Sequence, residues 1–463
     1  MTDLIYCHWL VPAWLNPVIA TATESDVEAE SGSLILAGVL LSLVVVYFAS
    51  KLGGEICARI DLPPVLGELV GGVLVGVSAF NLLVFPEGGS TASDSLIMGF
   101  LQQTAGLTPE ASNYVFSSSS EVISVLSELG VIILLFEIGL ESDLKELIRV
   151  GPQAAIVAVV GVVAPFVMGT AGLVYGFGVA PIPAIFAGAA LTATSIGITA
   201  KVLAELGQLS TEEGQIIIGA AVLDDILGIV VLAVVASLVK TGEIVISNVL
   251  ILVVSAAAFL IGSIVLGRLI SPFIVGLMNE MKTRGEVLLT SLVFAIVLAY
   301  IANVIQLEAI LGAFAAGLIL AETDKRKELE EQIVPVADVL VPIFFVCVGA
   351  KTDVGVLNPT VPSNREGLAI AGFLIVVAMI GKVITGFTLF NNQEVNKLAI
   401  GVGMIPRGEV GLVFAGVGAA SGALSESTEA AIIVMVIVTT FVAPPLLRLV
   451  FKDPEEATVK TES

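Results

Sequence analysis

Two aspartates stand side by side in Ile216-Ile-Ile-Gly-Ala-Ala-Val-Leu-Asp224-Asp225-Ile-Leu-Gly-Ile-Val-Val-Leu, a stretch that is otherwise apolar throughout. At the centre of a bilayer each carboxylate costs about 2.5–3.5 kcal/mol on insertion scales. An ion pair locking two helices accounts for one such acid but not for an adjacent second. Successive helical residues point about 100° apart. Asp224 and Asp225 therefore face different neighbours and are expected to do different work.

Lys382, in Ala378-Met-Ile-Gly-Lys382-Val-Ile-Thr-Gly386, is the matching cation, sixteen residues into an apolar run that starts at 366. A snorkelling lysine stays near an interface, so this depth favours pairing with one of the two aspartates. Arg407 and Glu409 lie in Met404-Ile-Pro406-Arg-Gly-Glu-Val-Gly411. Pro406, Gly408 and Gly411 interrupt that helix and free backbone groups from intrahelical bonding. Arg407 and Glu409 can offset the charges of the half-helix ends or touch an ion directly, and the sequence leaves both roles open. A second stretch, Thr192-Ala-Thr194-Ser195-Ile-Gly197, supplies hydroxyls. Hard cations take oxygen ligands, so these hydroxyls and any freed carbonyls suit a monovalent cation; the alternative is that they bond back to their own helix.

These residues need a bilayer around them. The chain has 463 residues, 57% of them hydrophobic and 13% charged, with a net charge of −22. Soluble domains carry about 25% charged residues, so the solvent of this fold is lipid. The acidic balance argues against a nucleic-acid partner, which selects basic surfaces. One histidine, His8, argues against a haem protein or a histidine proton relay, and Cys7, Cys57 and Cys347 have neither metal nor disulfide spacing. They read as lipid-facing or core apolar residues.

Apolar runs predict thirteen transmembrane helices, near 33–52, 62–80, 124–140, 152–176, 181–202, 214–239, 247–275, 286–304, 307–322, 333–350, 366–390, 395–422 and 428–450. Basic residues fall mostly on alternate connectors: Lys51 and Arg59, Lys145 and Arg149, Lys201, Lys282 and Arg284, Lys325 to Lys327, and Lys397 on one side. The other side has only Lys240, Lys351 and Arg365. This bias puts the N-terminus outside or lumenal and the C-terminus in the cytoplasm. Pro12, Pro17, Trp9 and Trp14 make the first residues an interfacial helix rather than a cleaved signal. The 81–122 segment reads as an extracytoplasmic loop containing a short helix.

The chain also repeats itself. Leu66-Gly67-Glu-Leu-Val-Gly-Gly72 is echoed by Leu311-Gly312-Ala-Phe-Ala-Ala-Gly317, Phe136-Glu-Ile-Gly139 by Val346-Cys-Val-Gly349, and Gly207-Gln-Leu-Ser210 by Gly422-Ala-Leu-Ser425. Three echoes in one order indicate two repeats of six helices, and a single intervening helix inverts the second. The predicted organisation is an extracytoplasmic segment (1–32), a first repeat (33–240, with the 81–122 loop), a linker helix (241–285), a second repeat (286–450) and a cytoplasmic tail (451–463). The fold class is an all-α polytopic membrane protein with two broken helices crossing at the midplane beside the helix of Asp224 and Asp225. In the second repeat these acids fall opposite Thr439 and Thr440.

Over about residues 35–450 the chain resembles the second family of monovalent cation:proton antiporters, in particular its bacterial and cyanobacterial sodium/proton branch. The most specific pieces are Ala193-Thr-Ser-Ile-Gly-Ile-Thr199, Leu223-Asp-Asp-Ile-Leu-Gly228, Gly381-Lys382 and Pro406-Arg-Gly-Glu-Val-Gly411. The resemblance implies a homodimer in a bacterial plasma or thylakoid membrane, each protomer having a dimerisation domain and a six-helix core. It implies electrogenic exchange of Na⁺ (or Li⁺ or K⁺) for H⁺ with no cofactor. Asp225 becomes the ion-binding carboxylate, Asp224 the partner of Lys382, and Thr194 and Ser195 the hydroxyl side of the site. Kef-type relatives add a nucleotide-binding domain and a Gln-rich version of the 406–411 motif. With Pro-Arg-Gly-Glu and a short polar tail here, nucleotide or thiol gating is not expected. Kef-like potassium efflux is the near rival and an organic-anion symporter the distant one; no Walker motif supports an ATP-driven pump.

Overall fold

A computed structural model describes residues 24–86, 89–241, 246–357, 362–389 and 395–451. The segment before residue 24, with Cys7, His8 and both tryptophans, and the tail from 452 lie outside the described residues. The described chain is helical: α1 (Glu24–Arg59), α2 (Pro64–Val75), α3 (Leu96–Ala105), α4 (Pro109–Glu141), α5 (Leu144–Arg149), α6 (Gly151–Gly176), α7 (Pro181–Ala190), α8 (Ile196–Glu205), α9 (Glu212–Thr241), α10 (Ile246–Glu280), α11 (Glu286–Val304), α12 (Ala309–Ala321), α13 (Arg326–Ala350), α14 (Pro362–Phe387), α15 (Lys397–Gly403), α16 (Glu409–Ala420) and α17 (Glu426–Phe451). Among the described residues, nine of these are long and apolar enough to cross a membrane alone. The shorter α2 and α12 and the broken pairs α7–α8 and α15–α16 overlap the other four predicted runs.

Helix ends follow local chemistry rather than hydropathy. The α4 helix starts at Pro109, fifteen residues before its apolar run, because Thr108 accepts a hydrogen bond from the Ala111 amide and Pro109 fills the first turn. The short helix expected within 81–122 is α3, begun by Ser95. Cys57 and Cys347 are both buried.

The repeat is visible in packing. Gly72 of α2 lies against Gly349 of α13, and a Cβ on Gly72 would meet the Val346 carbonyl. Gly139 of α4 lies against Gly317 of α12, where a Cβ on Gly317 would meet the Phe136 carbonyl. Each copy thus presents the same two motif glycines to the other, and only glycine allows backbones this close. The glycines after α8 and α16, Gly207 and Gly422, share a left-handed φ of 65° and 68°.

Two groups of helices result. In one, α4 packs on α12 and α13, α1 on α2, and α2 on α13, with α11 beside α12. In the other, α6 packs on α9 and α14, α14 on α17 and α15, and α16 on α7 and α17. A core of Phe186, Leu191, Leu374, Phe414 and Met435 fills this second group. The groups meet where α8 touches α2 and α4.

Candidate functional site

Both expected breaks are present, and they interlock. The first separates α7 from α8 and the second α15 from α16. At the crossing the Ser195 amide donates to the Pro406 carbonyl at 2.8 Å, the Thr194 hydroxyl to the Met404 carbonyl at 3.2 Å, and the Thr199 hydroxyl to the Gly403 carbonyl at 2.9 Å. Freed carbonyls are therefore mostly satisfied by the other broken helix. The back-bonding alternative holds for Thr192, which donates to Ala189 of its own helix at 2.7 Å, but not for Thr194 or Ser195.

Arg407, 1% exposed, donates to the carbonyls of Thr192 and Ala193. A guanidinium thus sits on the connector carbonyls just past the C-terminal end of α7, where the dipole favours positive charge. Thr440, the repeat counterpart of Asp225, donates its hydroxyl to the Arg407 carbonyl. One copy has a carboxylate where the other has a hydroxyl closing its own helix break. Pro406 lies in the second break; the side chain of Glu409, which opens α16, lies outside the described residues.

The aspartates separate as their helical angle requires. Asp224 accepts a hydrogen bond from the Lys382 ammonium at 2.9 Å, and both side chains are fully buried. Gly161 of α6 leaves room for the ammonium, since a Cβ there would stand 3.2 Å from Nζ. Arg407 is also within electrostatic reach of Asp224. Two cations thus face this acid. Asp225 turns instead into a small cavity with Thr194 and Ser195, closed from the other broken helix by Gly408 and Val410. The cavity measures about 10 Å³ to the centre of a water, room for one water or one small ion. Ser195, 4% exposed, has a hydroxyl with no hydrogen-bond partner. A Cβ on Gly408 would fall 2.7 Å from that hydroxyl. The result is an ionisable oxygen and hydroxyl oxygens around a space of ionic size.

The sequence reading passed over several acids. Glu308, at the start of α12, completes the lining of the cavity. Near Lys201 of α8 stand Glu68, Glu137, Glu141 and Glu205, all within its electrostatic reach. Glu68 and Glu137 sat in the repeat motifs, whose glycines alone drew notice. Among the described residues no three His, Cys, Asp or Glu side chains are grouped to hold a resident metal.

Comparison with known proteins places this geometry. Residues 39–453 match the family described as sodium/hydrogen exchanger, transmembrane. The chain is 74% identical to the high-affinity Na⁺/H⁺ antiporter NhaS3 of Synechocystis sp., over 96% of each chain. It is 30% identical to the Na⁺/H⁺-K⁺ antiporter GerN of Bacillus cereus, over 90% of this chain and 97% of GerN. In fold it resembles the sodium proton antiporter MjNhaP1 of Methanocaldococcus jannaschii at pH 8, with a TM-score of 0.58 and 17% identity over 90% of this chain and 99% of that one.

Proposed function

Because this chain belongs to the transmembrane sodium/hydrogen exchanger family, we propose that its Na⁺/H⁺ exchange runs through Asp225, with Thr194 and Ser195 as further ligands. The observation that carries this reading is the division of labour between the aspartates. Asp224 is committed to Lys382, while Asp225 faces the ion-sized cavity. A carboxylate there accepts either a proton or a cation, never both at full strength, and that competition is the exchange.

Arg407 and Pro406 maintain the breaks: the proline removes a donor and the guanidinium holds the Thr192 and Ala193 carbonyls between α7 and α8. Coupling passes through Lys382. A Na⁺ on Asp225 adds positive charge beside Asp224, weakens the ammonium's hold and favours loss of its proton. Asp225 and Lys382 then release two protons for each Na⁺, and net charge moves. The basic-residue bias puts the N-terminus outside or lumenal and the C-terminus in the cytoplasm, with which thirteen crossings agree, in a bacterial plasma or thylakoid membrane. Leu40, Val44, Phe48 and Leu52 form an exposed apolar stripe along α1. The homodimer is read with that stripe as the face that meets a second copy.

In inverted vesicles loaded with a quenched pH dye, Na⁺ is expected to restore fluorescence. Running Na⁺, Li⁺ and K⁺ in turn separates sodium exchange from the potassium efflux reading. Dequenching by K⁺ alone would move the assignment to the latter. Topology is checked separately. Arg326, whose guanidinium donates to the Glu141 carbonyl at 3.0 Å, lies on the connector proposed as cytoplasmic. An Arg326→Cys variant is expected to be labelled by impermeant maleimide only from the cytoplasmic side, and labelling confined to the other side would overturn the orientation.

A further inference from the structure

Glu308 has no role in the exchange described so far. It occupies the N-cap position of α12, at φ −62° and ψ 131°, but makes no side-chain capping bond. It lines the same cavity as Asp225, Thr194 and Ser195. Glu308 is exposed whereas Asp225 is 4% exposed. One small cavity is thus lined by a buried carboxylate, an exposed one and the unpartnered Ser195 hydroxyl.

The two acids also belong to different bodies. Asp225 is on α9 of the group built around the broken helices; Glu308 begins α12 of the other group. Glu128 of α4, also exposed and in the same group as α12, lies within electrostatic reach of Glu308. A Na⁺ entering a space this small must give up most of its water. Hard cations accept carboxylate oxygens in exchange. A carboxylate at the mouth supplies that replacement before the ion reaches Asp225.

We infer that Glu308 is the receiving carboxylate of one face of the exchanger, taking Na⁺ at the seam between the two groups and passing it to Asp225. This rests on the assignment of Asp225 and on alternating access. On the proposed topology the α11–α12 connector, and so this face, is extracytoplasmic. Motion of the Asp225 group relative to α12 takes Asp225 away from Glu308. The carboxylate therefore serves one face only, and the effect of removing it must be asymmetric.

The test is the Na⁺ dependence of exchange, measured from each face of oriented vesicles containing the full-length protein. For Glu308→Gln the half-saturating Na⁺ concentration is expected to rise about tenfold at the extracytoplasmic face, the effect of one lost charge interaction. At the cytoplasmic face it stays unchanged. Detailed balance requires the Na⁺-loaded form to shift towards its cytoplasm-facing conformation by the same factor. Glu308→Asp should recover most of the Na⁺ affinity, because charge rather than shape is what the role needs. Equal shifts at both faces, no shift at either, or no recovery by aspartate would each overturn the inference. Asp225→Asn is measured alongside. If that variant still exchanges, the site assignment fails; if it is inactive while Glu308→Gln matches wild type, only the role of Glu308 fails.

Discussion

Asp225→Asn is expected to reduce Na⁺/H⁺ exchange below detection while leaving the protein folded. The amide is nearly the size of the carboxylate, so the packing around this 4% exposed side chain survives. What disappears is the chemistry. An amide has no proton to release near neutral pH and no charge to balance a cation stripped of water. Ser195 and Thr194 are neutral and cannot substitute for it, and Asp224 is held by Lys382. Purified protein with wild-type elution and thermal unfolding, assayed in proteoliposomes under an imposed pH gradient, decides the matter. Exchange near the wild-type rate would show that the ion binds elsewhere. Asp224→Asn offers a contrast: it leaves a buried ammonium without its partner, and so should damage stability as well as transport.

What the sequence revealed was what a bilayer makes expensive. Asp224, Asp225 and Lys382 stood out because charge in an apolar run needs a reason. Pro406 and the Thr-Ser stretch betrayed the breaks because a helix in lipid must satisfy every backbone group. The repeat glycines announced close packing, and they do touch across copies. Which aspartate holds Lys382 was not derivable from the residues, because neighbouring positions differ only in direction and the direction depends on where α14 packs. The family resemblance supplied Asp224, whose carboxylate stands 2.9 Å from the ammonium. Arg407 stayed ambiguous for a similar reason: its partners, the carbonyls of Thr192 and Ala193, lie more than two hundred residues away. Glu308 left almost no trace. A lone acid just ahead of a helix reads as an ordinary charge favoured by the helix dipole, and only the shared cavity separates it from one.

Lys382→Ala is expected to abolish Na⁺-dependent charge movement and to cost about 3–5 kcal/mol of stability, the usual penalty for stranding one member of a buried ion pair. Asp224 would lose its partner at full burial. The two effects have different origins and can be pulled apart. The double variant Asp224→Asn with Lys382→Gln removes both charges and leaves two groups able to hydrogen-bond each other, so its unfolding temperature should recover towards wild type. It should not recover the current, because neither residue then has a proton to release when Na⁺ arrives. Asp225 is untouched in both variants, and Na⁺ binding to it, read as Na⁺-dependent thermal stabilisation, is expected to persist. Currents on solid-supported membranes supply the decisive comparison. If wild-type protein exchanges Na⁺ for H⁺ robustly but moves no net charge, Lys382 carries no transported proton and its pair with Asp224 is structural. If wild type gives a current that the double variant retains, the second proton leaves from another group. Loss of current in the double variant, with its stability restored and Na⁺ still bound, assigns that proton to the lysine: Asp225 exchanges the ion, and the pair beside it converts the exchange into charge movement.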